Sequence, residues 1–337
     1  MKRTTGSQSA RFGVPITVLA GVAALAGPAD SAFATFPGEP GPIAFQRLAS
    51  FEKELSAEIF QVDAGGGAVE QLTSLPGGSF APDFSPDGSR LVFEQQASKK
   101  AARAIYTMNA DGSQPVRLTF DCVAPQCLGD DVAAWTAAGE ILFQRGLSPA
   151  KRGEFPRALD LMIMKADGSD PRVLRRFLPN RDGRQPDQAQ ASPDGRSIAV
   201  TLVNTTAKPK LGSSIFLLDA DGGNLRQITP PRLNAGNPDW SPDGKRIIFN
   251  SSFEVQGPAN IYSVRPNGTK LRLLHRAGRN QAAFDPVWSP DGRRIACVRY
   301  TGGRFTQIWA MKPNGTGLRK LTHGHGFALR PDWGARP

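Results

Sequence analysis

The chain has 337 residues, 39% of them hydrophobic and 21% charged, which is the balance of a soluble globular protein and excludes a disordered one. Its length allows one large or two ordinary domains, and its 36 Gly and 28 Pro describe a chain that turns often. The formal net charge of +11 directs attention to acidic partners.

The first element is unlike the rest. Lys2, Arg3 and Arg11 precede an apolar run from Val14 to Ala26, and Ala32-Phe-Ala34 offers small residues where a signal peptidase reads. Residues 1–34 are therefore expected to be a secretory signal peptide, with an uncleaved anchor as the alternative. The run is too short to span a bilayer of roughly 30 Å as a helix. Export to the periplasm or the medium follows, and removal of three bases and one acid would leave a net charge near +9.

From residue 35 onward the chain is repetitive. One phrase is a Ser-Pro-Asp-Gly turn behind an aromatic or small residue: Phe84 to Gly88, Ala191 to Gly195, Trp240 to Gly244 and Trp288 to Gly292. It degrades at Trp135 to Gly139 and stops at Trp333. The anchors at 84, 135, 191, 240, 288 and 333 lie 51, 56, 49, 48 and 45 residues apart, a propeller-blade period. A second phrase joins an apolar strand, an (Asp/Asn)-Gly or Gly-Gly turn and a Leu-Thr-like ending. Its copies run from Ile59 to Thr73, Ile105 to Thr119, Leu161 to Leu174, Ile215 to Thr229, Ile261 to Leu274 and Ile308 to Thr322.

Each repeat reads as four short strands. In the copy after Pro238, the turn Pro242-Asp-Gly244 separates a first strand from Arg246–Asn250, and Asn260–Val264 follows. Pro266-Asn-Gly268 then leads into a fourth strand over residues 271–274. Such a sheet has two apolar faces and cannot stand alone; radial stacking covers both. At the ends, Pro42-Ile-Ala-Phe-Gln46 matches a second strand lacking a first, and Arg330-Pro-Asp-Trp333 a first strand lacking its sequel. The expected fold is all-β: residues 35–337 form one six-bladed propeller of four-stranded antiparallel blades. It closes by pairing the N- and C-terminal segments in one blade.

Cys122 and Cys127 flank four residues in a loop and could close a small disulfide ring in an oxidising compartment. Cys297, in an alternating strand, reads as a buried small hydrophobe. The loops between second and third strands carry Lys99, Lys100 and Arg103, then Lys151, Arg152 and Arg157, then Lys208 and Lys210, then Arg304. Inter-blade loops add Arg175, Arg176, Arg181, Arg184, Arg276 and Arg279. Both sets of loops emerge on one face, so an acidic protein or anionic polymer could be held there; a basic surface kept for solubility is the alternative. Nucleic acid is not expected as a partner, because no aromatic-interleaved recognition motif is present.

The three histidines, His275, His323 and His325, all follow fourth strands of consecutive blades and could supply imidazole to a divalent metal. Gly324 and Gly326 also describe an ordinary loop there. Asp83, Asp239 and Asp332 precede first-strand aromatics in three blades; a capping or turn role is favoured over a ring at the channel mouth.

The phrases Trp-Ser-Pro-Asp-Gly-(Lys/Arg)-Arg-Ile and Ile-Tyr-x-x-x-x-(Asp/Asn)-Gly resemble the WD40-like propeller repeat of the TolB family, over residues 42–333. The same repeat occurs in prolyl-oligopeptidase-type and tricorn-type peptidases. No Gly-x-Ser-x-Gly elbow and no room for a hydrolase domain accompany it here. The resemblance implies a non-catalytic propeller that binds a protein or envelope polymer; with the signal peptide, an exported monomer without a cofactor is expected. The alternative is a metal-dependent lyase acting on an acidic polysaccharide at the channel mouth, through the three histidines.

Overall fold

The computed structural model describes residues 36–120, 127–147, 156–205, 212–251 and 258–337. Six four-stranded antiparallel sheets follow one another around an axis. From the axis outward, blade 2 consists of Gly78–Phe84, Arg90–Gln96, Ala104–Asn109 and Val116–Arg117. The innermost strands of blades 3 to 6 are Cys127–Trp135, Arg184–Ala191, Ala235–Trp240 and Ala282–Trp288. Blade 1 takes its innermost strand, Phe327–Ala335, from the C-terminal end and Pro40–Leu48, Glu58–Val62 and Val69–Gln71 from the N-terminal end. Ile43 pairs with Trp333 and Leu48 with Phe327, so the expected closure is present.

The repeated phrases fold as their chemistry requires. In each intact Ser-Pro-Asp-Gly turn, the Ser hydroxyl donates to the Asp carboxylate and accepts the N–H of the residue that opens the second strand. Ser85 Oγ lies 2.6 Å from Asp87 Oδ1 and 3.0 Å from Arg90 N, and Ser192 and Ser289 repeat the pattern. These bonds favour the ionised carboxylate. Those from Ser85 and Ser192, above all, hold Asp87 and Asp194 below the usual carboxylate range. The Leu-Thr ending is a latch: the hydroxyls of Thr73, Thr119, Thr229 and Thr322 accept the N–H of Ile59, Ile105, Ile215 and Ile308 at 2.8 to 3.0 Å. That bond ties the end of the outer strand to the start of the third.

The core lies between blades. Trp135 packs with Val92 and Ile105 of blade 2 as well as with Phe143 of its own blade. Trp333 packs with Ile43 and Phe45 and with Val287 and Val298 of blade 6, which seals the closure. Each sheet therefore buries both faces, which is why its second strand reads as an apolar run.

Candidate functional site

In each meander the connection from second to third strand and the connection to the next blade leave the sheet at one end, here called the loop face. The two tight turns leave at the other end, the turn face. The topology places Lys99, Lys100, Arg157, Arg276, Arg279 and Arg304 on the loop face, and all six are exposed. Lys151, Arg152, Lys208 and Lys210 lie outside the described residues, as do the expected signal peptide and Cys122. Cys127 is buried at the start of its strand, and Cys297 is a free, buried thiol.

Arg103 departs from the expectation of a surface cation. It is buried at 6% exposure, its guanidinium lies 2.8 Å from the Glu94 carboxylate, and it stacks 4.3 Å from the Phe80 ring centroid. Glu94 also accepts the N–H of Val132 in blade 3 at 2.8 Å, so this pair joins two blades. Arg176 is likewise engaged, donating two bonds of 2.7 Å to Asp160.

Where blades 6 and 1 meet, the loop face carries aromatic side chains brought together from distant parts of the chain. Phe51 stands in the 3-10 turn Phe51–Ser56 after the second strand of blade 1, and Phe327 opens that blade's innermost strand. Their centroids lie 4.4 Å apart. Phe305, at the end of a blade 6 loop, sits edge-on to Phe327 at 5.4 Å and to His325 at 5.6 Å. The Arg304 guanidinium lies 5.3 Å from the Phe305 centroid, and Phe51 remains 39% exposed. Gly326 lets the chain turn into the cluster: its φ is +96°, and a Cβ there would lie 2.9 Å from the Leu48 carbonyl oxygen. A linear reading misses this cluster, because only ring closure brings Phe51 beside Phe305 and Phe327.

The wall of the central channel is built for rigidity. Each innermost strand bears a bulge three residues before its repeat anchor, the aromatic at 84, 135, 240, 288 or 333 or Ala191, where the pairing register shifts. In five blades the bulged residue, Ala81, Val132, Asn237, Asp285 or Arg330, adopts positive φ, a conformation that costs about 1–2 kcal/mol for a non-glycine residue. Side chains from a neighbouring blade accept their N–H groups: Gln46 bonds Ala81, Glu94 bonds Val132, Gln188 bonds Asn237, Asn250 bonds Asp285 and Asp285 bonds Arg330, at 2.6 to 3.2 Å.

Asp83, Asp239 and Asp332 form a second set of latches. Their Oδ2 atoms accept the N–H of Trp135, Trp288 and Phe84 in the following blade at 2.6, 2.7 and 2.7 Å. The favoured capping role is therefore what the geometry displays, extended across blades. Burial pushes the Asp332 carboxyl up to about 7. Burial, and then the charge of Asp332, also raises Asp83 well above the carboxylate range.

His275 ends the outer strand of blade 5, pairs with Ile261 and occupies the position of the Thr latch in its neighbours. Burial, and then the charge of Arg299, lowers its pKa. His323 and His325 are exposed in the loop between blades 6 and 1. Among the described residues no group of three or more His, Cys, Asp or Glu is placed to hold a metal ion.

The family model described as TolB beta propeller domain matches residues 185–334. The Tol-Pal system protein TolB of Anaeromyxobacter dehalogenans (strain 2CP-1 / ATCC BAA-258) is 26% identical over 302 residues, covering 83% of this chain and 66% of the relative. The chain spans 57 to 66% of the lengths of the curated TolB relatives it matches. Among solved structures, TolB from Acinetobacter baumannii superposes with a TM-score of 0.67 at 17% identity, covering 89% of this chain and 68% of that one. Oligogalacturonate lyase in complex with manganese superposes at 0.51 and 15% identity, covering 85% of this chain and 74% of the other. At such identities both likenesses speak for the fold.

Proposed function

Because the chain is a TolB-like β-propeller, we propose that it is an exported, non-catalytic binding module of the cell envelope that holds an acidic protein partner on its loop face. The observation that carries this reading is the cluster of Phe51, Phe305, Phe327 and His325 beside Arg304, with Lys99, Lys100, Arg276 and Arg279 exposed on the same face. Aromatic anchors with arginine, surrounded by charge, are what protein interfaces concentrate. A Tol-Pal system protein is by its name one part of a larger system, which supports a partner that is itself a protein. The proposed compartment also favours a disulfide between Cys122 and Cys127.

Rim cations steer encounter and set register, so binding should weaken as salt rises. Affinity capture from the native envelope at low and high salt, followed by titration of the captured protein in purified form, tests this. The combined variant Lys99→Glu, Lys100→Glu, Arg304→Glu is expected to bind about tenfold or more weakly. Phe51→Ala should lose affinity without losing salt dependence. Capture insensitive to salt, or full affinity in the charge-reversed variant, would refute the loop-face reading.

A further inference from the structure

The six blades are copies of one another, so their turns can be compared position by position on the turn face. Between third and outer strands, blades 2, 3 and 4 carry acidic turns: Asn109-Ala-Asp-Gly112, Lys165-Ala-Asp-Gly168 and Asp219-Ala-Asp-Gly222. Blades 5 and 6 carry Arg265-Pro-Asn-Gly268 and Lys312-Pro-Asn-Gly315 instead. The turn needs an oxygen there and not a charge. Asp111 Oδ1 accepts the N–H of Ser113 at 2.9 Å, and Asn267 and Asn314 accept those of Thr269 and Thr316 at 3.1 Å. Exchanging acid for amide leaves the geometry intact and removes negative charge from the turns of blades 5 and 6, whereas the matching turn of blade 1, Asp63-Ala-Gly-Gly66, lacks the second acid but keeps Asp63.

The neighbouring turns shift in the same direction. Where blades 2 and 4 have Ser89-Arg90 and Arg196-Ser197, blades 5 and 6 have Lys245-Arg246 and Arg293-Arg294. Lys245, Arg246, Arg265, Lys270, Arg293 and Lys312 are all exposed. Their one ion pair among the described residues is Lys245 with Asp243 at 3.6 Å, between two exposed partners, and it is worth little. An open cleft of about 490 Å³ lies within the patch, lined by Lys245, Arg246 and Arg265 with Asp243 and Asn267.

We propose that the turn face of blades 5 and 6 docks on an anionic phospholipid surface, with the cleft between Lys245, Arg246 and Arg265 receiving a headgroup phosphate. Turns of equal length on adjacent blades present their cations side by side, which suits a planar array of phosphates. The patch has no exposed large aromatic side chain of the kind that anchors a protein partner, and Leu271, 36% exposed between Lys270 and Arg272, is its apolar contact. Each cation near an anionic bilayer strengthens association roughly fivefold and less as salt screens it. This inference is independent of the loop-face reading, because it concerns the opposite end of every blade.

Co-sedimentation of the full chain with vesicles tests it, comparing phosphatidylcholine alone with an equimolar mixture of phosphatidylcholine and phosphatidylglycerol. The protein is expected to sediment with the mixed vesicles, less so at high salt, and not with the neutral ones. Lys245→Glu, Arg265→Glu, Lys312→Glu should reduce mixed-vesicle binding at least tenfold while keeping the wild-type melting temperature. The loop-face variant Lys99→Glu, Lys100→Glu, Arg304→Glu should bind vesicles as the wild type does. Equal sedimentation with both vesicles, full binding by the turn-face variant, or loss in the loop-face variant would overturn the proposal. So would displacement by millimolar inorganic phosphate, which marks a free-anion site, or tighter retention of a duplex DNA than of vesicles.

Discussion

Asp83 and Asp332 are almost wholly buried, each with one oxygen committed to the backbone of the next blade. Such a carboxyl favours its neutral form, because the interior solvates charge poorly and other carboxylates stand near. An unfolded aspartate titrates near its ordinary value of about 4. Asp332 in the fold titrates at about 7. Between about pH 4 and about pH 7 the folded chain holds a proton that the unfolded chain has released, so this contribution to stability is complete below that window and lost as pH rises through it. Asp87 and Asp194 act in the opposite sense, since their carboxyls are held low and their contribution is lost as the solution becomes strongly acidic. Asp332→Asn keeps an acceptor for Phe84 N and removes the titration. Thermal melts across this range should fall with rising pH in the wild type and less steeply in the variant; identical slopes would count against a protonated Asp332.

At the scale of single strands, the short outer strand is the weak element. In blades 2, 4 and 6 it spans only two residues, Val116–Arg117, Arg226–Gln227 and Arg319–Lys320, too few ladder bonds to hold it by themselves. The Thr latch adds a bond one step beyond the ladder. Thr229→Val preserves shape and removes the acceptor of Ile215 N, leaving a buried donor unpaired, which costs about 1–3 kcal/mol. Urea denaturation should show the loss with an unchanged slope, and a midpoint equal to the wild type would show that the latch is ornamental. The same reasoning reinterprets His275, which a linear reading groups with His323 and His325 by proximity to strand ends. It stands in a latch position, while the other two lie in the loop that closes the ring.

For the molecule as a whole, stability depends on closure. The strand Phe327–Ala335 contributes Trp333 to the core between blades 6 and 1 and Asp332 to the latch on blade 2. Deleting residues 328–337 would expose Ile43 and Phe45, both fully buried, and open the ring at three blades at once. The melting temperature is expected to drop by on the order of 10 °C or more, with several kcal/mol lost. A melt indistinguishable from the full chain would contradict closure as the keystone of the fold. A closed ring also has two ends with different constraints: tight turns tolerate few residue types, whereas the loop face accepts varied lengths and side chains.

The scaffold is written in the order of residues alone. Turns, capping and strand alternation are short-range physics, dictated by proline's fixed φ, glycine's tolerance of positive φ and the reach of a Ser or Asp oxygen, and their repetition reveals blade number and closure. The side of each blade on which a loop emerges is legible for the same reason, and with it the exposed loop cations Lys99, Lys100, Arg157, Arg276, Arg279 and Arg304. Which charges are buried, by contrast, depends on how the blades meet. Arg103 reads as one more loop cation, yet it is buried against Glu94 and Phe80; Asp83 reads as a capping or turn residue, but only the fold shows that the group it caps is Trp135 of the next blade. The aromatic cluster joins Phe51 to Phe327 only after the ring has closed. Desolvation and pairing depend on neighbours in space, and a propeller sets residues far apart in sequence side by side across every blade interface.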